Sequence, residues 1–279
     1  MIKKIFFFFF ALSIISCSTN DDVLEEQNNV QQEDLQPEKI LPPYVYPTTS
    51  FTIGGYFKCV YNNGKLTRMY GRYLKSEQLG VPDRFDLDSF MTFTYNNNQV
   101  KLEFISDSGV DLGMVIIYTM ENDRLIKSEL YYRDFVEPDM LVKTRTYTYE
   151  ANKIAVYEDE NNKMRESFIT YTFDSNKNLI KSEKLDKSYG IDSKLTVTNY
   201  SNFDHAKNPF KKLSLVYDQN NIHDNTFYVK SLSANNYRKI EGTTQLLNSQ
   251  HPYPQGTFMS QWNYNYDSQG QVVLYHPLQ

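Results

Sequence analysis

Two cysteines and four histidines are the side chains in this 279-residue chain best suited to nucleophilic or metal chemistry. His205, His223, His251 and His276 fall in no His-Glu-x-x-His or other tight ligand spacing, and neither cysteine has a cysteine near it, so no zinc set emerges. Neither a Gly-x-Ser-x-Gly elbow nor a Gly-rich phosphate loop is present. Asp83, Asp86 and Asp88 offer the hard oxygens that calcium takes, but without the spacing of a calcium loop, and they read as a solvated loop between hairpins. Glu158-Asp159-Glu160 runs into Asn161-Asn162 and reads as a turn with exposed charges. Paired carboxylates for glycoside hydrolysis are set by separation in space, and no pair stands out along the chain. The sequence thus singles out no catalytic, cofactor-binding or metal-binding residue.

Spacing does support chemistry at Cys17. Met1-Ile2-Lys3-Lys4 is a positive start, and Ile5–Ile15 is an apolar run containing five consecutive phenylalanines, Phe6 to Phe10. As a helix this run reaches about 16 Å against a hydrocarbon core of about 30 Å, so it reads as a cleaved leader and not as a span. It ends in Ile14-Ile15-Ser16-Cys17, which resembles a bacterial lipobox. That resemblance implies removal of residues 1–16 and a diacylglycerol on the Cys17 thiol at the new N-terminus. Ser18-Thr19-Asn20-Asp21-Asp22 resembles the acidic stretch that follows the lipid cysteine in surface-exported lipoproteins of the Bacteroidota, with Asp21 and Asp22 as the export signal. Once Cys17 is acylated, Cys59 has no cysteine partner. It shares a strand face with Phe57 and Tyr61 and reads as a buried, unreactive thiol.

Composition narrows the class further. The net charge is −5, and without Lys3 and Lys4 the remaining 27 basic residues face 34 acidic ones, a net −7. No basic stripe is left to track a phosphate backbone, which argues against nucleic acid as a partner. With 23 Tyr and 18 Phe, the chain favours strands, where flat rings pack on a pleated surface. Residues 17–50 are polar, acidic and then Pro-rich, and read as a flexible tether behind the lipid. Residues 51–279 read as one β domain.

That domain carries a degenerate repeat of an aromatic–x–aromatic pair, a polar turn and an aliphatic residue that resumes the strand. Phe93-Thr94-Tyr95 turns through Asn96-Asn97-Asn98 to Val100 and Leu102. Tyr118-Thr119-Met120, Tyr147-Thr148-Tyr149 and Tyr171-Thr172-Phe173 do the same, at intervals of 24 to 29 residues. Val60–Leu66 and Tyr264–Val272 bracket them. Alternation places rings on one face and hydroxyls on the other, and Asn, Asp and Gly tolerate the positive φ of tight hairpin turns. The pattern predicts an antiparallel meander of repeated hairpins forming one curved sheet, a sandwich or a partly closed barrel. Most of the aromatic stripe should line its core. Between the hairpins, Pro209 after Asn208 predicts a short helix over 209–217, and Val229–Leu232 and Tyr237–Ile240 read as short strands. Lys101-Leu102-Glu103 and Lys127-Ser128-Glu129 place charges where a transmembrane barrel would need an unbroken lipid-facing stripe.

The Tyr-x-Tyr-Asp-x-x-Gly-like hairpins, closest in Tyr264-Asn265-Tyr266-Asp267 with Gly270, resemble the YD-type repeats of Rhs-like proteins. With Asp204-His205-Ala206-Lys207-Asn208-Pro209-Phe210 and the Asn235-Asn236 turn, the order of motifs over residues 56 to 276 resembles a group of Bacteroidota lipoproteins. The resemblance implies no catalytic residue. The expectation is a lipid-anchored outer-membrane protein at the cell surface or on the periplasmic face, acting as a non-enzymatic module for a glycan or protein ligand. An enzyme acting on an envelope or extracellular polysaccharide and a structural part of a surface assembly are the alternatives.

Overall fold

The polar turns of the repeated motif each reverse a hairpin in the computed structural model, which describes residues 34–46, 55–74, 81, 84–106, 108–109, 111–133, 139–160, 162–217, 226–248 and 255–276. After β1 (Lys39–Ile40) come the hairpins β2–β3 (Phe57–Asn62, Lys65–Leu74), β4–β5 (Arg84–Asn96, Gln99–Ser106) and β6–β7 (Asp111–Glu121, Arg124–Tyr132). Next are β8–β9 (Met140–Tyr149, Lys153–Glu160) and β10–β11 (Arg165–Phe173, Leu179–Ser188), then β12 (Ile191–Ser201), β13 (Lys239–Leu246) and β14 (Gln255–Gln261). All lie side by side in chain order in one antiparallel sheet of fourteen strands. Among the described residues β1 and β14 do not pair with each other, so the sheet is open. A separate hairpin, β15–β16 (Asn265–Tyr266, Val272–Val273), follows.

In such a meander the turns alternate between two ends. Those after β2, β4, β6, β8 and β10 form one end, rich in asparagine. Its tight reversals use left-handed backbone at Asn63 (φ 48°), Gly64 (φ 72°), Asn97 (φ 49°), Asn122 (φ 48°) and Asp123 (φ 59°), where Asn, Asp and Gly are least strained. The register slips just past two of these turns, leaving Thr67 and Ile126 as extra residues on β3 and β7. A bulge of this kind turns a carbonyl out of the ladder. Tyr95 on the next hairpin donates its hydroxyl to the Leu66 carbonyl at 2.9 Å, and Tyr149 donates to that of Leu125 at 2.8 Å. The tyrosines at this position of the motif therefore tie β4–β5 to β2–β3 and β8–β9 to β6–β7.

The other ring of each motif points to the core. Phe93, Tyr118, Tyr147 and Tyr171 are all buried. What they pack on is α2 (Thr226–Leu232), in which Phe227 to Ser231 are all buried. A short helix enclosed on every side belongs in a core. Its Phe227 ring lies 5.6 Å from Phe57 of β2, while the adjacent Tyr228 lies 6.1 Å from Tyr171 of β10. Eight strands at about 4.8 Å each would separate those strands by about 38 Å on a flat sheet. Both reach neighbouring residues of one helix, so the sheet curls strongly around α2. The outward face carries ion pairs such as Lys101–Glu103 and Lys127–Glu129, unlike a lipid-facing wall. Among the described residues no helix is long and apolar enough to cross a membrane.

Lys230 of α2 is enclosed with the apolar side chains. Its Nζ stands 4.7 Å from the Trp262 ring centroid, 5.2 Å from Tyr237 and 5.3 Å from Phe210, and donates to the Tyr264 hydroxyl at 3.3 Å. Burial pushes its ammonium down to about 7.

Three local expectations are corrected. Val229–Leu232 is helical, because this strand-prone run is closed off inside the curled sheet and not paired at an edge. Tyr237 precedes the strand that begins at Lys239. Instead of a helix over 209–217 there is a single 3-10 turn, Lys211–Leu213. Asn208 does not cap a helix; its amide donates to the carbonyls of Lys230 at 2.6 Å and Ser233 at 2.8 Å, fastening this segment to α2. Residues 34–46 of the expected tether pack on the body: β1 pairs with β2, α1 (Pro42–Val45) follows, and Ile40 and Val45 are fully enclosed. The buried core of the described residues lies within Asp34–Gln279, a compact unit in itself.

Replacing Tyr95 or Tyr149 with Phe keeps the ring and strands a bulge carbonyl. Each change should lower unfolding free energy in urea by about 1 kcal/mol, and the two should add because they sit on different hairpins.

Candidate functional site

The strand face that meets α2 changes character along its length. Toward the asparagine-rich end it is apolar, through Leu102, Ile154 and Leu179. Toward the opposite end the same face turns polar, and the charges stand in register across the sheet. One rung crosses six strands as Ser128, Arg145, Glu158, Ser167, Asp186 and Lys194. The next rung outward pairs Lys143 with Glu160 and Glu160 with Arg165. The next rung inward sets Lys184 opposite Thr196, and Thr196 opposite Thr244.

Opposite charges meet between neighbouring strands, and the contacts are short. Arg145 donates from Nε to Glu158, and Lys143 bridges Glu158 at 3.3 Å and Glu160 at 3.2 Å. Asp186 takes Lys194 at 3.1 Å, Lys184 at 3.5 Å and the Ser167 hydroxyl at 2.7 Å. Glu160 also meets Arg165 at 3.4 Å. Burial alone would raise the Glu158 carboxyl, but Arg145, Lys143 and Lys184 outweigh it and hold the group at about 2. Burial likewise disfavours the Lys143 and Arg145 cations, and Glu158 more than restores them. Beside this cluster a cavity of about 10 Å³ is bordered by Tyr118, Ser128, Lys143, Arg145 and Tyr217. The buried Tyr118 hydroxyl facing it has no hydrogen-bond partner among the described residues. Space of that size fits about one water molecule.

The cluster holds five cations, Lys143, Arg145, Arg165, Lys184 and Lys194, against three carboxylates, Glu158, Glu160 and Asp186. Among the described residues this face therefore carries more positive than negative charge, in a chain of net −5 overall. Such a surface can hold hydroxyl and acid groups by hydrogen bonds of fixed direction. It is poorly arranged for proton transfer, because a carboxyl held near 2 makes a weak base and is not an acid at neutral pH.

The sequence-predicted residues fall elsewhere. Ile14, Ile15, Ser16, Cys17, Asp21 and Asp22 lie outside the described residues, as do Asp83, His223 and His251. Cys59 is buried, and enclosure pushes its thiol up to about 12, the state of an unreactive cysteine. Asp86 accepts from the Asp88 amide and the Ser89 hydroxyl, both at 2.9 Å, which makes it a local strand fastener. His205 is exposed. Among the described residues no group of three His, Cys, Asp or Glu side chains could hold a metal. Glu158-Asp159-Glu160 is corrected: the three residues belong to β9, with Glu158 6% exposed. The alternation of Ile154 and Val156 continues through 158 and 160, so these carboxylates face inward to Arg145 and Lys143.

No protein-family model matches the chain, and no curated protein does. Among solved structures, the fold is similar to a porin-like protein from Bacteroides vulgatus, with a TM-score of 0.53 at 15% identity. The match covers 86% of this chain and 91% of that one. At this identity the likeness is one of fold alone.

Glu158 gives stability an acid limb. Its pKa drops on folding from an unfolded value of about 4.3, so its contribution is complete above that pH and is lost as pH falls through about 2. Urea denaturation between pH 6 and 2 should show this loss, at about 3 kcal/mol. Glu158→Gln should flatten the limb and be less stable at pH 7, because it leaves Arg145 buried with a weakened partner.

Proposed function

We propose that the chain is a lipid-anchored module of the cell envelope that binds an acidic, hydroxyl-rich glycan on its concave face without turning it over. The observation that carries this reading is the in-register charged face spanning β8 to β12, with its excess of lysine and arginine. Lys184, Lys194, Thr196 and Thr244 are half-buried there, which leaves part of each for a ligand. The clamped state of Glu158 favours binding over hydrolysis. Anchorage rests on the lipobox-like Ile14-Ile15-Ser16-Cys17, and exposure at the cell surface on Asp21-Asp22. The likeness to a porin-like Bacteroides protein fits an envelope setting.

The test presents the acylated full chain in detergent micelles to alginate, a carboxylated polysaccharide, and to uncharged dextran. Alginate should be retained, and Lys184→Gln with Lys194→Gln should weaken retention about tenfold, with steep salt dependence. Release of new reducing ends would instead make the protein an enzyme. Retention unchanged in the double variant would remove the concave face from the reading. Separately, an alkyne fatty acid fed to the producing bacterium should label the wild-type chain and leave Cys17→Ala unlabelled.

A further inference from the structure

The two ends of the sheet carry different side chains. At the asparagine-rich end the reversals at Asn63-Gly64, Asn97 and Asn122-Asp123 are polar. At the opposite end, each described connection from β7 onward brings bulky apolar groups into solvent. Tyr132 and Met140 flank the β7–β8 connection, Met164 immediately precedes β10, Tyr189 and Ile191 bracket the β11–β12 reversal, and Leu246 closes β13. Their exposure runs from 38% at Leu246 to 72% at Tyr189. Tyr189 also sits at φ 50°, in the left-handed region where a bulky side chain is strained and Asn or Gly would be at ease. A strained aromatic that buries little in its own fold points to use outside it.

We infer that this rim is a docking edge for a lipid bilayer, with the apolar tips seated in the headgroup layer. Successive tips stand two strands apart, about 10 Å, with polar groups such as Lys163 and Asp192 between them. Isolated points of this kind form no contiguous core for a protein partner to pack against. A fluid interface needs no shape complementarity and accepts Tyr particularly well. Cations and carboxylates are mixed along the rim, as in the Lys187–Asp192 pair at 3.0 Å, so an uncharged bilayer suffices.

The orientation rests on the lipid anchor proposed above. β1 runs antiparallel to β2, so the chain before it arrives from the asparagine-rich end, where Tyr61 donates to the Pro37 carbonyl. The 17 residue-to-residue steps from Cys17 to Asp34 extend up to about 56 Å, and an eleven-residue strand spans about 36 Å. That contour length exceeds the length of the strands, so the proposed anchor and the rim are within reach of one bilayer.

The test uses residues 34–279, which contain the whole core and lack Cys17, with phosphatidylcholine vesicles in a sedimentation assay. The wild-type fragment should sediment with vesicles. Tyr189→Asn, which relieves the backbone, should keep or raise the melting temperature and still reduce the bound fraction. Adding Met140→Ser and Ile191→Ser should weaken binding by at least about tenfold. Ile180→Ser, exposed near the other end, should change nothing. A fragment that stays in solution, or a triple variant that sediments like wild type, overturns the proposal. So does a concentration-dependent dimer that the triple variant abolishes without any vesicle binding, which would assign the rim to a second copy. Since Cys17 is absent from this fragment, none of these failures bears on the lipid anchor.

Discussion

A fourteen-stranded meander has one apolar face and must find something to bury it against. No second sheet of comparable size is present among the described residues, so the sheet bends until its own strands surround the seven residues of α2. Bending is supplied by slips in register along β3, β7 and β11, each of which adds a residue and increases local twist. Every slip turns a carbonyl away from its ladder. The hydroxyls of Tyr95 and Tyr149 meet that cost at two of these places, which gives a physical reason for tyrosine, and not phenylalanine, in the repeated motif. Curvature, tyrosine content and the buried helix are consequences of one packing problem.

The hairpins were legible because their signals are local. Asn-Gly, Asn-Asp and Asp-Ser-Asn centres sit between runs of period two, and both signals act within a few residues. The helix was not legible for the opposite reason. Thr226, Phe227, Tyr228 and Val229 favour strands, and only enclosure by strands far away in sequence makes their helical form stable. The packed stretch 34–46 hid in the same way, since two paired residues and one turn of helix leave little periodic trace. The charged rungs fall between these cases. That Glu158 faces inward follows from Ile154 and Val156, but its place between Arg145 and Ser167 depends on every register on either side.

The interior holds charge in two different ways. Around Glu158, cations and carboxylates satisfy one another across strands, and the carboxyl stays ionised far below its usual range. Around Lys230, aromatic faces and one tyrosine hydroxyl surround an ammonium that burial drives toward neutrality. The first arrangement keeps charge within reach of the concave surface. The second places a titrating group at the joint between α2, the Asn208–Phe210 segment and the strand end at Trp262 and Tyr264.

Each strand pairs only with its neighbours in sequence, so the sheet is modular in units of one hairpin. Duplication or loss of such a unit preserves all remaining registers, because no strand crosses over another. The helix constrains the number between β2 and β10, because a hairpin more or fewer there would change the distance that Phe227 and Tyr228 span. In lineages that lengthen or shorten this array, change should therefore fall together on hairpin number and on the bulk of the residues between β12 and β13. Chains of very different length could in this way keep a recognisable architecture while sharing little sequence.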